Sequence, residues 1–224
     1  MNERIATVIG ATGLIGSYLV ELLKSDIYFS TIRVIVRRPF DKQDKKIEVK
    51  LIDFTDHEAF KLSIKGSDSV FCAVGTTQKK VRGDKEAYRK VDYDIPVLAA
   101  QFCKETGCNN FLLVSSVGAD SKSNNFYLQL KGKVEDAVKK QNISSTNIFH
   151  PSILLGNRSE SRPGERIGQI AMQVFSFALL GGWNKYKPIH AKDVATAMLQ
   201  AAKIQRQGFN VYEYSEIKAL SEQV

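Results

Sequence analysis

The sequence is poor in the residues that staple small folds or bind structural metals. It has three cysteines, Cys72, Cys103 and Cys108. Their number is odd and no CxxC spacing occurs, which argues against a disulfide framework and a zinc site and leaves buried, reduced thiols. No apolar run reaches the roughly 20 residues of a membrane span, and Ile170 to Leu180 is too short for one. A secretory leader is not expected either, because Glu3 and Arg4 pass straight into an apolar strand and a glycine turn. A cytoplasmic location, with no membrane partner, is expected. Internal repeats and low-complexity stretches are absent as well. The formal net charge of +8 favours an anionic cofactor or substrate. Its lysines are interleaved with acids, as in Asp41-Lys42-Gln43-Asp44-Lys45-Lys46. The densest cluster, Lys79-Lys80-Val81-Arg82, lacks repeated aromatic partners, so the charge reads as solvated surface and not as a nucleic-acid interface.

What is present is an alternation of buried strands and amphipathic helices. Strands are predicted at Ile5 to Ile9, Ile32 to Val36, Val49 to Ile52, Ser69 to Val74, Phe111 to Val114 and from Thr146 to Phe149. Helices are predicted from Leu14 to Leu23, Asp56 to Ile64, Asp84 to Thr106 and Tyr127 to Gln141, with Pro96 at a helix start or break. Continuous apolar strands need cover on both faces, so the expected fold is α/β: a Rossmann-type, doubly wound parallel sheet in one domain spanning residues 1–224. After His150-Pro151 the pattern loosens. A polar loop is expected from Arg158 to Glu165, an apolar helix from Ile167 to Leu180, a break at Gly181-Gly182, a helix from Asp193 to Ile204 and a strand from Asn210 to Tyr214. Residues 151–224 are read as a small C-terminal substrate lobe over the sheet's carboxyl edge.

The first strand runs into Gly10-Ala11-Thr12-Gly13-Leu14-Ile15-Gly16, a GxxGxxG turn that opens a helix. Gly10 permits the tight turn, Gly13 close backbone approach and Gly16 tight helix packing. The helix N-terminus offers unpaired N–H groups to a diphosphate. The second strand ends in Arg37-Arg38, with no acid until Asp41. Guanidinium groups pair with a 2′-phosphate that a carboxylate would repel, so NADP(H) is the expected cofactor. Asp53, ending the third strand, is placed to bond the adenine, with Phe54 as a neighbour of the ring. Tyr127 and Lys131 lie four apart on one helix face. The ammonium would lower the phenol pKa for proton transfer to a carbonyl, and Ser116 would polarise that carbonyl. Ser115 is the other serine at that strand end; alternation points the two to opposite sides, and Ser116 is favoured.

Together these residues resemble the short-chain dehydrogenase/reductase superfamily in its atypical, extended-like branch. The narrower likeness is to the TIP30 (HTATIP2)-like family. It rests on Gly75-Thr76-Thr77, Ser115-Ser116-Val117-Gly118-Ala119-Asp120, Asn125-Phe126-Tyr127-Leu128-Gln129-Leu130-Lys131-Gly132 and Glu160-Ser161-Arg162-Pro163-Gly164-Glu165. The resemblance implies bound NADPH, with the glycine turn, Arg37 and Arg38 on its phosphates and Val74, Gly75 and Thr76 running beside it. It implies catalytic roles for Ser116, Tyr127 and Lys131, with Lys131 also bonding the nicotinamide ribose. One departure stands out: His150-Pro151 occupies a place where related proteins often have Arg-Pro, so a titratable ring replaces a permanent cation. Arg162-Pro163-Gly164-Glu165 is either a substrate-facing loop or a structured turn. His190 lies near the substrate lobe in extended relatives, beside Asp193, which is expected to cap the following helix. His57 reads as surface.

The function expected is an NADP(H)-dependent oxidoreductase acting on a small carbonyl or alcohol. An NADPH-binding regulator without turnover is the alternative. A nucleotide-sugar epimerase, the work of longer relatives, would need a larger lobe than residues 151–224 supply. A homodimer is compatible with all three.

Overall fold

A computed structural model describes residues 3–40, 44–78, 80–156 and 183–223. Strands β1 (Ile5–Ile9), β2 (Thr31–Val36), β3 (Ile47–Leu51), β4 (Ser69–Cys72), β5 (Asn110–Val114), β6 (Ser145–Phe149) and β9 (Gly208–Tyr212) form a seven-stranded sheet in the order β3-β2-β1-β4-β5-β6-β9. Every pairing in it is parallel, with Ile9 beside both Ile35 and Cys72. Two further short strands, β7 (Leu154–Leu155) and β8 (Ile189–His190), pair with each other.

The helices are α1 (Leu14–Ser25), α2 (His57–Ile64), α3 (Lys85–Arg89), α4 (Ile95–Glu105), α5 (Phe126–Lys139), α6 (Ala191–Ile204) and α7 (Tyr214–Ser221). Strand alternation divides the core between the two faces. Val8, Val34, Phe71 and Phe149 pack with α1 and α6. Ile9, Ile35, Cys72 and Leu113 pack with α2, α4 and α5. The strand order reverses direction between β1 and β4, which opens a crevice at their carboxyl ends.

Three expectations are corrected. The third strand is not buried: β3 is a sheet edge, and Val49 and Leu51 are exposed. The single helix expected from Asp84 to Thr106 is broken by a π-helical turn at Lys90–Asp94 between α3 and α4. Pro96 lies in the first turn of α4 and has no N–H to give the carbonyl of Asp92, so the regular ladder fails there. Finally, much of the tail is not a separate lobe. β9 completes the main sheet, and α6 contributes Val194, Ala195, Met198 and Ala202 to the core beside α1. Among the described residues only the β7–β8 pair stands off that sheet. The expected loop with Arg162, the helix to Leu180 and the Gly181-Gly182 break lie outside the described residues, as do Asp41 and Lys79.

Candidate functional site

The glycine turn forms the floor of the crevice. Gly10 adopts φ +90°, and a Cβ there would sit 2.6 Å from the Ala73 carbonyl oxygen, so the chain leaving β1 touches the chain leaving β4. Only glycine meets both demands. Gly13 N–H donates to Gly10 O at 2.9 Å. A Cβ on Gly16 would lie 2.1 Å from that same oxygen, so α1 rises directly off the turn. Helix α1 has Gly13 as its N-cap, without a side-chain cap, and no acid in its first turn. Its leading N–H groups are therefore open to an anion, and the residues present fit a diphosphate. Thr12 is exposed and Gly13 and Leu14 half-buried, whereas Ala11 and Ile15 are buried in the core and offer backbone only.

Arg37 and Arg38 are exposed just beyond β2 and make no ion pair among the described residues. Asp53, beyond β3, is exposed and accepts the Thr55 N–H at 2.9 Å. That backbone bond holds its carboxyl below the usual range. Phe54 is half-buried, its ring edge-on to Phe60 at 4.9 Å, so it is committed to the core more than the sequence implied.

Beyond β4, Val74 and Thr76 are half-buried and Gly75 exposed. The Thr76 N–H donates to Asp92 Oδ2 at 2.7 Å, and the Tyr88 hydroxyl donates to Thr76 O at 3.5 Å. Asp92 comes from the π-helical turn and is 1% exposed. Its Oδ1 pairs with Lys131 Nζ at 3.1 Å. This ion pair is fully inside the protein. Burial pulls the Lys131 pKa down, but the Asp92 carboxylate and the neighbouring Tyr127 overcome it, so the pKa is raised.

Helix α5 carries this lysine. Asn125 caps it, accepting the N–H groups of Tyr127 and Leu128 at 3.0 and 3.2 Å. Tyr127 is half-buried, and the Lys131 ammonium lies 5.9 Å from its ring centroid. The expected pairing of Tyr127 with Lys131 is thus shared: the lysine's direct partner is Asp92.

At the end of β5, Ser115 is buried and its hydroxyl donates to Glu135 Oε1, whereas Ser116 is half-exposed and, among the described residues, its hydroxyl donates to the Val117 carbonyl at 3.3 Å. Ser116 is therefore the serine left available beside the crevice. His150, at the end of β6, is buried, and its Nε2 lies 2.9 Å from the same Glu135 oxygen. The titratable ring that replaces an arginine thus faces α5. His190 is exposed and precedes α6 without capping it by its side chain. The expected cap at Asp193 is not formed: Asp193 lies in the first turn and pairs with Lys218 at 3.0 Å. His57 is exposed on α2, and the three cysteines are free and buried.

Sequence reasoning missed Asp92 and Glu135. Both had a signal. Tyr88, Asp92, Ile95 and Ala99 follow helical spacing and all are buried, so an acid sits on an apolar stripe. Glu135 continues the face of Tyr127 and Lys131 by one more turn.

The profile of a family described as NAD(P)H-binding matches residues 10–205. Rat protein HTATIP2 is 31% identical over 202 residues, 89% of this chain and 81% of the rat protein. The mitochondrial protein FMP52 of Candida albicans is 33% identical over 208 residues, 88% of this chain and 86% of the yeast protein. Among solved structures, a UDP-N-acetylglucosamine 4-epimerase from Methanobrevibacter ruminantium M1 superposes with a TM-score of 0.71 at 17% identity, over 99% of this chain and 81% of that one. MoeE5 in complex with UDP-glucose and NAD gives 0.70 at 16% identity, over 97% and 81%. At such identities these two establish the shared fold alone.

Proposed function

Because the chain belongs to the NAD(P)H-binding family, as an atypical short-chain dehydrogenase similar to HTATIP2 and FMP52, we propose that it is an NADPH-dependent oxidoreductase acting on a small carbonyl or alcohol. One observation carries the reading. The glycine turn touches the chain after β4 at Ala73, and that chain is tied through Thr76 and Asp92 to Lys131. The phosphate cradle and the Tyr127–Lys131 face are thus successive parts of one crevice. A bound NADPH supplies the hydride. Exposed Arg37 and Arg38 suit a 2′-phosphate, which selects NADPH over NADH. The Ser116 hydroxyl donates a hydrogen bond to the substrate carbonyl oxygen, and Tyr127 gives that oxygen its proton.

Side-by-side calorimetric titration with NADPH and NADH tests the cofactor. The double variant Arg37→Ser/Arg38→Ser should lose about 10–100-fold in NADPH affinity, the equivalent of one or two charge-assisted bonds, and leave NADH within about twofold. Tighter binding of NADH by the unaltered chain would overturn the preference. Tyr127→Phe should abolish carbonyl reduction and keep NADPH binding; unchanged turnover rejects the mechanism.

A second reading, an NADPH-responsive regulator without turnover, is favoured by the Asp92–Lys131 pair, in which the ammonium is held by a carboxylate at 3.1 Å and lies 5.9 Å from the Tyr127 ring centroid. Turnover on any carbonyl panel argues against it, and so does partner capture indifferent to NADPH. Free, buried cysteines suit a reducing compartment. We place the protein in the cytoplasm; the fungal relatives carry mitochondrial names, so fractionation separates the two. Sedimentation with and without NADPH tests the homodimer.

A further inference from the structure

Two costly features meet at Asp92. The first is the π-helical turn Lys90–Asp94. Such single-turn insertions break the regular ladder and recur where a function retains them. The second is a buried ion pair, with Lys131 and Asp92 side chains 6% and 2% exposed. Two apolar side chains of similar volume would serve the core as well or better. The widened turn brings Asp92 to face the crevice wall, where its two oxygens are divided. One holds the Lys131 ammonium and the other the Thr76 N–H. The backbone at Gly75 runs close over this carboxylate: a Cβ there would lie 3.5 Å from Oδ1, in ordinary van der Waals contact.

We propose that Asp92 is a positioning residue for the dinucleotide, fixing the Lys131 ammonium and the loop from Val74 to Thr77 before the cofactor binds. The inference rests on the cofactor reading above. It follows the preorganisation argument: groups already ordered do not lose that freedom on binding. The groups facing Lys131 are Asp92 from the π-helical turn, Tyr127 from its own helix and Cys72 from β4. Of these, Asp92 is the one in direct contact with the ammonium, at 3.1 Å. Without it, the largest influence opposing burial is gone, and the balance at the ammonium moves toward the neutral amine.

The test is calorimetric titration of the full chain with NADPH between about pH 7.5 and 9.5. Relative to the unaltered protein, Asp92→Asn should acquire a new alkaline loss of affinity, approaching tenfold per pH unit at the upper end. The double variant Asp92→Asn/Lys131→Met should lose that pH dependence again, because no ammonium remains to titrate. Parallel profiles for Asp92→Asn and the unaltered chain would overturn the proposal. Should Asp92→Asn fail to fold, or the unaltered chain bind neither NADPH nor NADH, an independent measurement decides. In the unaltered chain carrying 13C-ε lysine, the Lys131 signal should remain in its charged form up to and beyond pH 10.5, the ordinary lysine value. Titration below 10.5 would mean that Asp92 does not hold the charge. Absence of NADPH binding with a high Lys131 midpoint would sink the cofactor reading and leave the electrostatic pairing standing.

Discussion

Gly16 has no space for even one more carbon. A Cβ there would lie 2.1 Å from the Gly10 oxygen and 2.8 Å from its carbonyl carbon, all backbone that cannot swing aside. Gly16→Ala should therefore push α1 off the end of β1, lowering stability by about 1–3 kcal/mol in urea unfolding and abolishing NADPH binding. Gly13→Ala meets the same oxygen at a milder 3.2 Å and should retain part of both. Cys72 makes a second test at this scale. Burial pushes its thiol up to about 12, so native-state alkylation near pH 8 should leave it unmodified, as mass spectrometry of the labelled protein would show. The glycine turn, the exposed position of the two arginines and the shared helix face of Tyr127 and Lys131 were legible in the sequence, because spacing alone restricts where they can lie. Asp92 and Glu135 were not read from it. Their roles depend on which face of a helix meets which strand end, and that is set by tertiary packing. Ser115 and Ser116 illustrate the limit: alternation separates them, but only the Glu135 carboxylate on α5 shows which one is occupied.

At the level of elements, Glu135 fastens three of them together. Its carboxylate on α5 takes the Ser115 hydroxyl from the end of β5 and lies against the His150 ring from the end of β6. Removing it leaves two buried polar groups without their common partner. Glu135→Ala should cost about 1–3 kcal/mol in chemical denaturation, whereas Glu135→Gln, which keeps an acceptor oxygen, should cost less. The strands were readable because each is a short apolar run bounded by turn residues. β3 misled for a physical reason. Its Ile-Glu-Val-Lys-Leu sequence alternates apolar and charged residues, but whether the apolar side of such a strand meets a helix or solvent is decided by tertiary packing, and here Val49 and Leu51 stay exposed. The π-helical turn was hidden likewise, since Pro96 announces a break without saying whether the chain widens, bends or stops.

For the molecule as a whole, the buried pair adds a pH term to stability. The Lys131 pKa is raised in the fold despite its burial. Its contribution is therefore complete below the unfolded value of 10.5 and is lost as pH rises through the higher folded value. Urea midpoints should fall at that alkaline limb, and Asp92→Asn/Lys131→Met should lack this component. The parallel, doubly wound architecture was visible from alternation alone. The fate of the tail was not, because a short strand such as β9 carries no mark of the partner it will choose.

That choice has a bearing on how the chain acquires its shape. β6 is joined on one side by β5, close in sequence, but on the other by β9, whose residues follow only after the entire stretch 150–207. Until they are synthesised, the flank of β6 presents open amide and carbonyl groups beside Phe149, a surface to which another nascent copy can add a strand of its own. Stalled translation within that stretch should thus yield chains that chaperones must shield.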